Sequence, residues 1–165
     1  MSAHSGASAS IPTELVARLE AASVGSPELS ALVVKAALAP ADTWVAQSRF
    51  NSAWCIYERP EKPRIWEVGG ALRGASVTES LDAAVALVER VLPGALWTAG
   101  SNIYDDAPTG QAEIYMPVPK DFHDGLGEVT APTPALALCI ALLKARTAAS
   151  DSLAGDDAES GVNPS

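Results

Sequence analysis

Histidine, the side chain that most readily exchanges a proton near neutral pH, is scarce in this chain. There are two histidines, and only His123 stands beside carboxylates, in the run Asp121-Phe122-His123-Asp124. Imidazole and carboxylate groups are common metal ligands and proton carriers. A short run of this composition is also typical of a solvated turn, in which Asp bonds to nearby backbone. We favour the turn, and a catalytic or metal-binding role for His123 is the alternative.

A second carboxylate pair, Asp105 and Asp106, falls between two predicted strands. Aspartate is favoured in turns because it hydrogen-bonds to local backbone, so a hairpin turn explains this pair without chemistry. The chain contains none of the GxxxxGK(S/T), GxGxxG, HExxH and GxSxG motifs that mark phosphate, dinucleotide, zinc and nucleophile sites. The sequence therefore predicts a protein that is not an enzyme and that holds no cofactor and no metal.

The two cysteines, Cys55 and Cys139, both lie inside apolar runs. No CxxC spacing supports a metal site. We predict two buried free thiols in a reducing cytosol, and a disulfide or a metal pair is the alternative.

Charge and hydropathy exclude several classes of partner. The formal net charge is −9, whereas a general nucleic-acid binder or a binder of anionic membranes needs clustered Lys and Arg. No apolar run reaches the roughly 18 residues that indicate a membrane-spanning helix. Residues 1–10 lack the basic and apolar regions of a secretory signal. We therefore expect a cytoplasmic protein.

Apolar periodicity and end signals predict four helices. Each begins at a capping residue or at a proline in the first helical position. The predicted helices span residues 12–25, 26–40, 78–93 and 133–146. Gly25 is predicted to end the first helix, and Thr78 or Ser80 is predicted to cap the third. The last helix is apolar nearly all round, so it should be buried.

Four segments rich in aromatic and β-branched residues predict strands at 52–58, 64–68, 96–104 and 111–118, with weaker strand character at 44–50. Turn residues join the first two and the last two, which predicts antiparallel hairpins. The predicted fold is α+β, a layered α/β/α-type sandwich with a mainly antiparallel sheet of about four strands and four helices. We expect one domain at residues 12–148, a disordered N-terminus at 1–11 and a disordered acidic tail at 149–165.

Most of the large aromatic side chains fall on predicted strands. Core packing explains them if helices cover both faces of the sheet. If helices cover one face only, the rings on the other face form a surface for a partner or for a planar ligand. The candidate binding residues are Trp54, Tyr57, Arg64 and Trp66.

Several runs carry a resemblance to a known family. They are TESLDAAVALV at 78–88, Pro93-Gly94 with Trp97, APTPALALC at 131–139 with LKAR at 143–146, and LVARLEAA at 15–22 followed by Glu28-Leu29. In these runs the chain resembles the phage ABA-sandwich domain family. The resemblance implies a small bacteriophage or prophage protein with an α/β/α sandwich and no assigned activity, and it supplies no catalytic residue.

The aromatic segment 44–68 departs from that family pattern, so a specific function is expected there. Our first hypothesis is a non-enzymatic accessory protein that binds a host or phage protein in the host cytoplasm and can form a homodimer. One alternative is a protein that sequesters a small nucleotide-type signal in counter-defence, with Arg64 beside Trp66 and Arg49 beside Phe50 as its contacts. A second alternative is an enzyme of unknown type.

Overall fold

Four helices and six strands make up the part of the chain that the computed structural model describes, residues 13–39, 42–48, 52–58, 64–65, 76–102, 109–115 and 127–156. The helices are α1 (Thr13–Ala21), α2 (Pro27–Leu38), α3 (Leu81–Val91) and α4 (Pro134–Asp156). The strands are β1 (Thr43–Gln47), β2 (Trp54–Glu58), β3 (Arg64–Ile65), β4 (Leu96–Asn102), β5 (Thr109–Tyr115) and β6 (Val129–Ala131). The predicted α+β class with four helices is confirmed.

Local signals set where three of the helices begin. Ser26, Ser80 and Thr133 each accept a hydrogen bond on the side-chain oxygen from the backbone N–H three residues later, at 3.2, 3.4 and 3.3 Å. Pro27 and Pro134 follow two of these caps at the first helical position. The caps satisfy N–H groups that have no partner within the helix. The predicted starts of α2 and α4 are confirmed, and of the two caps considered for α3 it is Ser80 that serves.

Gly25 has another role than the one predicted for it. Helix α1 ends at Ala21, so Gly25 does not terminate it. A Cβ atom on Gly25 would lie only 2.1 Å from the carbonyl oxygen of Thr78. Glycine is required there because the backbone before α2 approaches the backbone before α3 too closely for any side chain.

The strands form two separate antiparallel sheets, ordered β1-β2-β3 and β4-β5-β6. We call them the first and the second sheet. Helix α4 packs against all three strands of the second sheet and against the other three helices, and α2 also packs on β1 and β2. The sequence predicted one sheet of about four strands between helices. Instead, the described strands form two sheets with α2 and α4 between them, because α2 packs on the first sheet and on α4, and α4 packs on the second sheet.

The centre of the core is α4. Its residues Leu136, Leu138, Ile140, Leu142 and Leu143 are completely buried, which confirms the prediction of a helix that is apolar on all sides. The helix continues to Asp156, past the predicted domain end at residue 148. The predicted disordered segment 1–11 lies outside the described residues.

Candidate functional site

The residues with the most obvious chemical potential fall outside the described part of the chain. His123 and the pair Asp105-Asp106 both lie outside the described residues, so the structure does not test the turn predicted at either position. Within the described ranges, no group of three His, Cys, Asp or Glu side chains is placed to hold a metal ion.

Three aromatic residues, Trp44, Trp54 and Tyr57, lie on the hairpin formed by β1 and β2. In its register Trp44 pairs with Tyr57 and Val45 pairs with Ile56. Ile56 is buried, Val45 packs against the core, and α2 contacts both strands. Because side chains alternate between the two faces of a sheet, Trp44 and Tyr57 point away from α2.

Trp44 and Tyr57 stack on each other across the two strands. Their ring centroids are 5.7 Å apart and the ring planes differ by 21°, and both side chains are half-buried. Ala46 and Cys55, the next cross-strand pair on the same side, extend this surface. We call the face formed by Trp44, Ala46, Cys55 and Tyr57 the aromatic face. Stacked aromatic pairs of this kind stabilise a hairpin by roughly 0.5–1.5 kcal/mol beyond their burial.

The predicted binding residues Trp54, Tyr57, Arg64 and Trp66 do not form one surface. Trp54 lies on the α2 side of β2, the side of Ile56, whereas Tyr57 lies on the aromatic face. Arg64 pairs with Glu58 through the backbone, and Trp66 lies outside the described residues. Sequence reasoning missed Trp44 as the partner of Tyr57, because it treated 44–50 as a weak strand and assigned it no register. The predicted strands end at residue 50 and begin at residue 52, whereas β1 ends at Gln47 and β2 begins at Trp54, so the register could not be derived from them.

The turn between β1 and β2 is held by hydrogen bonds from both ends. The backbone N–H of Ser48 donates to the carbonyl of Ala53 at 2.7 Å, and the N–H of Ser52 donates to the carbonyl of Ser48 at 3.1 Å. The side-chain amide of Gln47 donates to the carbonyl of Ser52 at 2.8 Å. Ser52 has a φ of 57°, a conformation that costs a non-glycine residue about 1–2 kcal/mol. These bonds fix the register that stacks Trp44 on Tyr57.

The two cysteines differ in exposure, which corrects the prediction that both are buried. Both are free thiols. Cys139 on α4 is completely enclosed, its thiol donates to the carbonyl of Val77 at 3.3 Å, and burial raises its pKa to about 12. Cys55 is half-buried on the aromatic face. Cys55 is therefore the thiol that a molecule bound next to Trp44 and Tyr57 would meet.

The outer face of the second sheet is polar. Strands β4 and β5 pair Thr98 with Glu113 and Leu96 with Tyr115 on the side away from α4. The Tyr115 hydroxyl donates to a Glu113 carboxylate oxygen at 2.6 Å. This bond to an anion is the main cause that raises the pKa of Tyr115. The contact therefore favours the protonated form of the Tyr115 hydroxyl.

Comparison with protein-family models, with curated proteins and with solved structures finds no match. The resemblance to the phage ABA-sandwich domain family therefore stays a prediction. The nucleotide alternative also stays a prediction, because it depends on Arg49, Phe50, Trp66 and the side chain of Arg64, which lie outside the described residues. Within the described ranges, the helices are too short or too polar to cross a membrane.

Proposed function

We propose that this protein is a non-enzymatic binding module and that it binds a partner protein through the aromatic face. The observation that carries the proposal is the stacked pair of Trp44 and Tyr57, half-buried on the side of the first sheet that points away from α2. Of the described helices, only α2 packs extensively on β1 and β2, and it does so from the other side. Rigid aromatic side chains are the residues that dominate binding energy at protein interfaces.

The charge of the chain favours a basic partner. With a net charge of −9, the protein attracts cationic surfaces over long range and repels anionic ligands. The faces of Trp and Tyr rings also bind Arg and Lys side chains directly, at about 0.5–2 kcal/mol per contact. The same charge opposes the nucleotide alternative, since a nucleotide brings its own negative phosphates. The partner proposed is therefore a protein that presents Arg or Lys beside apolar side chains.

The biological setting rests on the sequence resemblance alone. A bacteriophage accessory protein acting in the host cytoplasm would find its basic partner among host or phage proteins. Acidic character and an aromatic face fit such a role, and neither depends on catalytic groups.

The experiment uses Cys55 as a handle inside the proposed site. A photoreactive maleimide attached to Cys55 would lie on the aromatic face, whereas Cys139 is enclosed in the core and stays unlabelled. Irradiation in a host lysate, with and without phage infection, should crosslink the partner for identification by mass spectrometry. The partner is then purified and its affinity is measured with unlabelled protein.

Matched variants decide whether the aromatic face is the site. The double variant Trp44→Ala and Tyr57→Ala should bind at least tenfold more weakly, which is about 1.4 kcal/mol. Trp54→Ala removes the same type of residue from the other face of β2 and should leave the affinity nearly unchanged. Affinity should fall as salt rises. The proposal would be overturned by a folded double variant with the affinity of the natural protein, or by an affinity that does not change with salt concentration.

A further inference from the structure

Strand β4 is an edge strand without the features that normally keep such an edge from pairing. In the second sheet it is bonded to β5 on one side, and no described strand pairs with its other side. Its seven residues, LWTAGSN, include no charged residue and no proline. Natural proteins usually protect an exposed edge with a lysine, a proline, a bulge or a very short strand. An uncharged edge with no described strand on its outer side is suited to pairing with another strand.

Two exposed residues of β4, Leu96 and Gly100, differ strongly in size and could fit against each other across a pair of strands. Leu96 is one of the two large apolar side chains that are exposed among the described residues, with 53% of its surface accessible. Gly100 lies on the same face, and a Cβ atom built on it would meet nothing within 4 Å. The strand thus offers a projecting leucine and, four residues later, an open space above a glycine.

We propose that two copies of this protein pair through β4 in antiparallel orientation, with Thr98 on the two-fold axis. In this register Leu96 lies opposite the partner's Gly100, and each Thr98 lies opposite the partner's Thr98. The projecting leucine of each copy covers the open glycine of the other. Threonine side chains that lie directly opposite each other on two antiparallel strands are close enough to interact.

The inner face of β4 fits the same register. Trp97 and Ala99 point toward α4, opposite Ile114 and Ala112 of β5, and both pack against the core. Pairing about Thr98 places each Trp97 opposite the partner's Ala99, so that a large side chain again meets a small one. Both faces of the strand are therefore self-complementary in one register. A shift by one residue would move Leu96 away from the partner's glycine.

Charge explains why the second copy docks at this strand. A chain with net charge −9 repels its own copies. A stretch of seven uncharged residues is a place where two copies can approach without bringing like charges together. The pairing would join two three-stranded sheets into one continuous sheet of six described strands, three from each copy.

The test measures molar mass by light scattering during size-exclusion chromatography across a wide range of protein concentration. The natural protein should approach twice the chain mass of 17.0 kDa. Thr98→Lys should weaken self-association more than tenfold, because it sets two lysines against each other on the axis. Thr130→Lys is the matched control, since Thr130 is also exposed on the outer face of the second sheet but lies on β6. It should dimerise like the natural protein.

A charge-pair experiment tests the register itself. Thr98→Glu should also be monomeric alone, while a mixture of Thr98→Lys and Thr98→Glu should form a heterodimer. Circular dichroism shows that each variant is folded. A natural protein that stays monomeric at every concentration, a folded Thr98→Lys variant that stays dimeric, or a mixture that fails to associate would each overturn the proposal. The double variant of Trp44 and Tyr57 leaves β4 intact and should dimerise normally, so failure here is distinguishable from failure of the proposed partner site.

Discussion

Replacing Ser30 with alanine is expected to destabilise the fold, because the Ser30 hydroxyl lies at the centre of a buried network between α2 and the segment before α3. Its oxygen is 2.5 Å from the hydroxyl of Ser76 and 2.8 Å from the hydroxyl of Thr78. It also accepts the backbone N–H of Thr78 at 3.1 Å. Ser30 and Thr78 are both buried, so water cannot replace these bonds.

The proton positions follow from counting donors. The one hydroxyl proton of Thr78 goes to the carbonyl of Ser26 at 3.0 Å. Ser30 must therefore donate to Thr78, and Ser76 must donate to Ser30. The Ser26 backbone N–H donates to Thr78 as well, at 3.0 Å. Each of the Ser30 and Thr78 hydroxyls thus gives one proton and accepts two, which is its full capacity.

The magnitude follows from what Ser30→Ala leaves behind. The Thr78 N–H stays fully buried with no acceptor, and such a loss costs roughly 1–3 kcal/mol. Ser76 is half-buried and can turn its hydroxyl to water at little cost. We therefore expect a loss of about 2 kcal/mol in the free energy of unfolding. In a domain of this size that lowers the melting temperature by about 6 °C.

Urea denaturation followed by circular dichroism measures this loss, and Ser23→Ala is the matched control. Ser23 is exposed between α1 and α2, so its substitution should change the free energy of unfolding by less than about 0.5 kcal/mol. Thr78→Val removes the hydroxyl on the other side of the network. Since both variants break the same link, the double variant should lose about 1 kcal/mol less than the sum of the two.

The reasoning would be refuted by a Ser30→Ala variant that unfolds at the same urea concentration as Ser23→Ala with an unchanged slope. Strict additivity with Thr78→Val would refute it too, because that result means the two hydroxyls act independently.

Two further predictions concern α4. Arg146 donates from Nη1 to the carbonyls of Ala36, at 2.6 Å, and of Ala37, both in the last turn of α2. Arg146→Met should therefore lower the free energy of unfolding, measured by urea denaturation, by about 1–2 kcal/mol. Arg146→Lys should lower it less, because lysine keeps the positive charge at the end of α2. Equal stability of all three proteins would contradict this capping role. At pH 8 a maleimide should modify Cys55 in the native protein and Cys139 only after unfolding, because Cys139 is enclosed and its pKa is raised to about 12. Peptide mass spectrometry identifies the modified cysteine, and labelling of Cys139 in the native protein would refute the prediction.

The helices could be predicted from the sequence because their signals are local. Ser26, Ser80 and Thr133 cap the helices that follow them, and a capping bond reaches only three residues along the chain. The apolar residues on all sides of α4 similarly required its burial. The end of α1 was placed too late, because Gly25 is required by the backbone of Thr78, about fifty residues away. Nothing near Gly25 in the sequence reveals that contact.

The pairing of strands was less predictable, because it depends on which faces the helices cover. Five of the six described strands were predicted, but β6 was not, because Val129–Ala131 is too short to show periodicity. Periodicity also does not say whether two hairpins share one sheet. The division into two sheets depends on α2, which packs on the first sheet and also on α4. The same limit applies to the candidate site. Trp54 and Tyr57 are three residues apart and therefore lie on opposite faces, and the partner of Tyr57 is Trp44 across the turn.

The arrangement of the sheets gives the two proposed surfaces a joint consequence. The aromatic face belongs to the first sheet and β4 to the second, and helices α2 and α4 lie between them. Pairing through β4 would therefore leave the aromatic face of each copy open. Some partners carry the same basic site more than once. A dimer with two aromatic faces binds such a partner more tightly than a monomer does, because its second face binds within a complex that has already formed. Loss of the dimer would then reduce avidity for such a partner while the affinity of a single site stays the same.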